Sequence, residues 1–112
     1  MKEQISFNEY QKQAFDLISE DGRKDMILNG VLGLTGEAGE CADIVKKNRF
    51  QGHELDKDHL KDELGDVLWY IAETASGLGI TLEAVAQYNL DKLHKRFHGN
   101  HFNKEDSINR KE

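Results

Sequence analysis

Apolar residues recur at helical spacing in four successive stretches of this chain, and no proline interrupts any of its 112 residues. Proline fixes φ and removes a backbone donor, so a chain without it keeps long helices open. Helix formers are plentiful and β-branched residues are scattered rather than clustered. Together these features predict an all-α fold, a four-helix, bundle-like arrangement within a single domain spanning residues 1–112.

The stretches can be placed. Ser6-Phe7-Asn8-Glu9 has the form of a capping box, so a first helix should run from about Phe7 to Ile18. Ser19 to Asp25, with Gly22, reads as a loop. A second helix, from about Met26 to Asn48, carries the stripe Val31, Leu34, Ala38, Cys41 and Val45. Gly30, Gly33, Gly36 and Gly39 interrupt it, each at about 1 kcal/mol relative to alanine. Small residues there would let a neighbouring helix or a ligand approach the backbone. A glycine-rich phosphate loop is excluded, because no Gly-Lys-Ser/Thr follows and no strand precedes. A third helix, capped by Asp56 or Asp58, should run from about His59 to Ser76 with the stripe Leu60, Leu64, Val67, Leu68, Ile71 and Ala75. Gly77 and Gly79 end it. Thr81 caps a fourth helix that reaches Phe97. Residues 98–112 form a polar tail or strap, with Phe102 and Ile108 as candidate anchors.

Charge narrows the function. The formal net charge is −6, so the overall field does not draw nucleic acid or polyphosphate, and an anionic substrate would need mediating cations. A membrane partner is not expected either, since no apolar run reaches the length of a span. The N-terminus lacks a signal-peptide core, and the lone cysteine, Cys41, allows no intrachain disulfide. A soluble cytoplasmic protein is the expectation. With charged residues at 32%, an isolated monomer would have a thin core, and oligomerisation is a common remedy.

Two segments look alike, Glu37-Ala38-Gly39-Glu40 and Glu63-Leu64-Gly65-Asp66. Carboxylates three residues apart on a helix subtend roughly 60° and can share a face. With Glu37 at zero, the apolar stripe centres near about +70° and Glu40 lies near about −60°. With Glu63 at zero, the stripe centres near about +85° and Asp66 lies near about −60°. Both pairs therefore flank their stripes on the same side, and packing the stripes together would bring four carboxylates to one edge of the core. Such a group cannot stay ionised without cations, and hard oxygen ligands suit Mg²⁺ or Mn²⁺. Solvated surface pairs are the alternative.

On the fourth helix Asn89, Lys92 and Arg96 fall within about 60° of one another, a combination suited to polyphosphate. Cations near a helix C-terminus are also favoured for their own sake. Trp69 and Tyr70 follow Asp66 closely, and Trp69 is a candidate to stack on a base; core or interface packing is the other reading. No Glu-x-x-His occurs, which argues against a di-iron bundle, and no nucleophile–His pairing stands out. A catalytically silent helical module that binds metal or nucleotide is the remaining rival.

The set Leu34-Thr35-Gly36-Glu37-Ala38-Gly39-Glu40, Glu63-Leu64-Gly65-Asp66-Val67-Leu68-Trp69-Tyr70 and Asn89-Leu90-Asp91-Lys92-Leu93-His94-Lys95-Arg96-Phe97 resembles the MazG-like nucleotide pyrophosphohydrolases of the all-α NTP pyrophosphatase superfamily. The resemblance covers roughly residues 27–110. It implies Mg²⁺-dependent hydrolysis of a nucleoside triphosphate to monophosphate and pyrophosphate, often in the removal of non-standard nucleotides. It implies that Glu37, Glu40, Glu63 and Asp66 are catalytic metal ligands and that Lys92 and Arg96, with Asn89 beside them, contact phosphates. It also implies a homo-oligomer, dimer or tetramer. His59 stands where the family is often basic.

Overall fold

The computed structural model describes residues 4–97 and 103–110. Among them every element is a helix: α1 (Phe7–Asp16), α2 (Glu20–Lys24), α3 (Met26–Phe50), α4 (Lys57–Gly77), α5 (Leu82–Arg96) and α6 (Lys104–Ile108). The all-α expectation is met. The chain divides between Leu82 and Glu83 into two compact units, the first holding α1 to α4 and the second α5 onward with α6.

Local chemistry sets the helix ends. Ser6 Oγ accepts from Glu9 N at 3.1 Å and starts α1. The reciprocal half of the capping box is not made: Glu9 Oε1 accepts from Gln13 Nε2 at 3.0 Å instead. The expected loop at 19–25 contains α2, because Ser19 Oγ caps Gly22 N at 3.0 Å and closes one turn. Asp25 Oδ1 then caps Leu28 N at 3.1 Å and begins α3. Of the two candidates before α4, Asp56 is the cap, accepting from His59 N at 3.0 Å. At the other end of α4, Gly79 takes φ +71°, and bonds Ile80 N to Ala75 O and Gly79 N to Ser76 O, both 3.0 Å, close a Schellman turn.

α3 and α4 share the main helix–helix interface of the first unit, and α1 lies across α4. The face of α3 that packs differs from the stripe its hydrophobic residues predict. Val31 and Val45 are exposed, whereas Gly30 and Ile44 are buried and Gly33, Glu37 and Cys41 half-buried. The physical reason is the glycines. They carry no weight in a hydrophobic stripe, yet they let α4 approach closest: a Cβ on Gly30 would strike Thr74 Oγ1, and one on Gly33 would strike the Tyr70 ring. On α4, Leu64 likewise turns out to solvent.

The core is thin. Ala14, Ala72 and Leu82 form its buried cluster, with Tyr10, Leu68, Trp69 and Ile71 packed against it. Gln11 pins α1 to the end of α4: its amide donates to Ser76 Oγ (3.1 Å) and Ile80 O (3.0 Å) and accepts from Leu82 N (2.7 Å). Trp69 Nε1 donates to Ala14 O at 3.2 Å, a second tie between α1 and α4. No described helix is long and apolar enough to cross a membrane. In the tail, Ile108 is exposed rather than an anchor, and Phe102 lies outside the described residues.

Candidate metal centre

The α3–α4 packing brings acids together. Glu37 from α3 and Glu63 and Asp66 from α4 each offer a carboxylate oxygen, and these oxygens lie within 4.8 Å of one another. All three residues are half-buried. Glu37 reaches this position because it lies in the middle of the packed face of α3, not on its flank. Glu40, three residues on, is exposed and falls outside this group. It lines a separate depression of about 260 Å³ with Asp43, Lys47, His53 and His59 among its walls.

The electrostatics express crowding of like charge. The Glu37 carboxyl is raised above its ordinary value, first through a hydrogen bond shared with Glu63, then through desolvation and the charges of Glu63 and Asp62. Asp66 is raised chiefly by desolvation and then by Glu37 and Asp62. Glu63 has a side chain only 13% exposed, with His59 Nε2 3.3 Å from its Oε1. Its Oε2 is buried and receives no donor. Two phenols sit in the same field: the Tyr70 hydroxyl is pushed up by burial and by Glu37, Glu73 and Asp66, and that of Tyr10 by burial and Asp66. A hard divalent cation fits this donor set. It would lie among three convergent carboxylate oxygens, satisfy the orphaned Glu63 oxygen and relieve the like-charge repulsion that raises the Glu37 and Asp66 carboxyls.

Two cavities meet at Gly65 and Asp66. One, about 400 Å³, lies between α1 and α4 and is lined also by Ile5, Tyr10, Gln13, Ala14, Leu17 and Trp69. The other, about 450 Å³, is lined by Asp58, Lys61 and Asp62. Trp69 thus serves both packing and a cavity wall, although its indole N–H is already spent on Ala14 O. Asn89, Lys92 and Arg96 lie on α5 in the second unit, Asn89 exposed and the two cations half-buried.

Sequence reasoning passed over three contributors: Asp62, Tyr10 and the buried Glu73. Each was within reach of a positional signal. Asp62 precedes Glu63 directly, Tyr10 lies on the buried stripe of α1, and Glu73 sits between Ala72 and Ala75 in the apolar run of α4.

A helical domain that gathers carboxylates from two packed helices into a cation-sized group defines the class. Residues 28–101 match the MazG nucleotide pyrophosphohydrolase domain, and the chain belongs to that family. It is also 45% identical over 69 residues to the Gene 37 protein of Mycobacterium phage L5, an alignment covering 58% of this chain and 60% of that relative. No solved structure matches.

Proposed function

We propose that this protein hydrolyses nucleoside triphosphates to the monophosphate and pyrophosphate with Mg²⁺, or Mn²⁺ as a substitute, at the Glu37–Glu63–Asp66 cluster. The carrying observation is that cluster, in a chain of the MazG family. Glu37, Glu63 and Asp66 would hold the cation; to Glu40, which lines a separate depression in this structure, we assign the fourth ligand position that the family resemblance gives it. Bound Mg²⁺ supplies charge neutralisation at the phosphates and a more acidic water. A carboxylate of the cluster takes the proton from the attacking water, which enters in line with the departing pyrophosphate. We assign to Asn89, Lys92 and Arg96 the phosphate contacts that the family resemblance gives them, with Lys92 as a point charge and Arg96 as a fork. The apolar cavity beside Asp66 supports a slot for the base: Trp69 offers a ring face, and Gln13 an amide for a base edge. Nucleotide-pool house-cleaning in the cytoplasm, by a homo-oligomer acting as one catalytic domain per chain, is the physiological reading.

The test is pyrophosphate release from a panel of canonical and modified NTPs and dNTPs, with Mg²⁺ and with EDTA. Metal-dependent release with monophosphate as co-product is expected, and Glu37→Ala should abolish it with the helix content unchanged. No release from any nucleotide, by a folded protein that still binds Mg²⁺, would replace the enzyme reading with that of a binding module.

A further inference from the structure

The glycines and acids of α3 share a period of three. Gly30, Gly33, Gly36 and Gly39 follow it, and so do Glu37 and Glu40. Gly30 lies against Thr74 and Gly33 against Tyr70, while Gly36 and Gly39 face open space. If α3 moved about 4.5 Å towards its own N-terminus and turned by about 60°, Gly33 would meet Thr74, Gly36 would meet Tyr70 and Glu40 would take the place of Glu37. At the two tightest approaches steric fit does not reject that arrangement, because each would again find a glycine. The opposite slide is rejected: it puts Ile27 where even a Cβ strikes Thr74.

Two features distinguish the registers: the shift would put Lys47 in the place of buried Ile44, and it would break one polar contact that the observed register makes. Glu73 of α4 is 2% exposed, and its Oε2 accepts from Asn29 Nδ2 at 2.7 Å. In the slid register, Leu32 would replace Asn29, and a buried carboxylate would face an aliphatic side chain. A buried polar contact of this kind contributes little net stability but discriminates strongly between alternative packings. We infer that the Asn29–Glu73 hydrogen bond is the register lock of the α3–α4 pair, and that Glu73 is a positioning residue that selects Glu37 rather than Glu40 to meet Glu63 and Asp66. The consequence for catalysis rests on the cluster being the cation site; the register itself does not.

The experiment measures an α3–α4 distance in the full chain. Spin labels go on cysteines placed at Lys46 and Lys57, with Cys41 changed to serine and the labelled protein diluted with unlabelled chains to suppress distances between subunits. The parent protein and Glu73→Gln, whose carbonyl still accepts from Asn29, should each give one distance. Glu73→Met keeps the volume and loses the acceptor, so it should add a second population at a distance separate from the parental one. The exchange Asn29→Leu with Leu32→Asn moves the amide by three residues while retaining Glu73, and should shift the main distance to the displaced value. Both sites of that exchange are solvent-accessible, so it remains informative if Glu73→Met does not fold. A single parental distance in either variant overturns the lock. Mg²⁺ titration by calorimetry on the same proteins keeps the two ideas apart: a parent that binds no Mg²⁺, with a second distance in Glu73→Met, refutes the cation site and sustains the lock.

Discussion

At the scale of single residues, the glycines separate into two kinds with opposite expected behaviour. Gly33 is occupied ground, since the Tyr70 ring fills the space a Cβ would need. Gly33→Ala should therefore destabilise by about 1–3 kcal/mol despite alanine's better helix propensity. Gly65 has nothing within 4 Å of that position, so alanine there should stabilise by up to about 1 kcal/mol. Gly65 also lines both cavities beside Asp66, and the added methyl should raise KM for nucleotide. Urea titration and steady-state kinetics on the two variants read both effects. A Gly65→Ala protein that is more stable and equally active would show that no ligand passes there.

The carboxylates give a signed pH prediction. In the folded, metal-free protein Glu37 and Asp66 have pKa values raised above their ordinary 4.5 and 3.8. Raised acids bind more protons folded than unfolded, so stability falls as pH rises from the unfolded values through the folded ones. In EDTA, acidification into the range just above the ordinary carboxylate values should raise the melting temperature contributed by these groups. Asp43, lowered by its partner Lys47, opposes that trend, which makes the difference between Glu37→Gln and the parent the quantity to measure. Mg²⁺ should reverse the slope, because protons then compete with the cation for the same oxygens.

At the scale of elements, one polar side chain ties α1 to its neighbours beside the apolar contacts of Ala14 and Tyr10. Gln11 makes three side-chain bonds, to Ser76 near the end of α4, to Ile80 in the turn after it and to Leu82 at the start of α5. Gln11→Ala would leave the Leu82 N–H without its acceptor, and a loss of about 1–3 kcal/mol is expected in thermal or urea unfolding. None of this was legible in the sequence, where Gln11 is a polar residue on a helix. What was legible had a local cause. α1 and the long helices α3, α4 and α5 were readable because caps and apolar periodicity are written into neighbouring residues. α2 was not, because a single turn has too few residues to show a period. Three of the four carboxylates singled out in the sequence come together in the structure, but their geometry was not readable. Glu37, Glu63 and Asp66 converge, but the argument from stripes put Glu37 on a flank and treated Glu40 as its equal. Glycine faces contribute contact by absence, and a hydrophobic pattern gives no weight to absence. Glu73 was missed for the converse reason: burial of a charged residue depends on a partner 44 positions away.

At the scale of the whole molecule, the balance of surface is the informative quantity. Buried hydrophobics among the described residues are few, and half of them are alanines: Ala14, Ile18, Ile44, Ala72, Ala75 and Leu82. Against them stand large exposed side chains such as Leu28, Leu32, Phe50 and Leu64, at 55%, 63%, 84% and 56%. A small domain with so little interior gains by burying such surface against further copies of itself, at roughly 25 cal/mol per Å² of apolar area. If the working form is a homo-oligomer, folding and assembly are linked, and the melting temperature must rise with protein concentration. Sedimentation should then show a dimer or tetramer at concentrations where the chain is folded, and dilution should lower the melting temperature before it changes the helical signal at room temperature. Mg²⁺ at the proposed site would stabilise separately, by RT ln(1 + [Mg²⁺]/Kd), which gives about 2.7 kcal/mol at a hundred times Kd. The two increments add if each subunit carries a complete cation site. They fail to add if assembly completes the site, because Kd for Mg²⁺ then depends on subunit concentration. A melting surface measured over both variables distinguishes these cases: parallel curves indicate independent sites, and curves that converge on dilution indicate a cation site that exists only in the assembled protein.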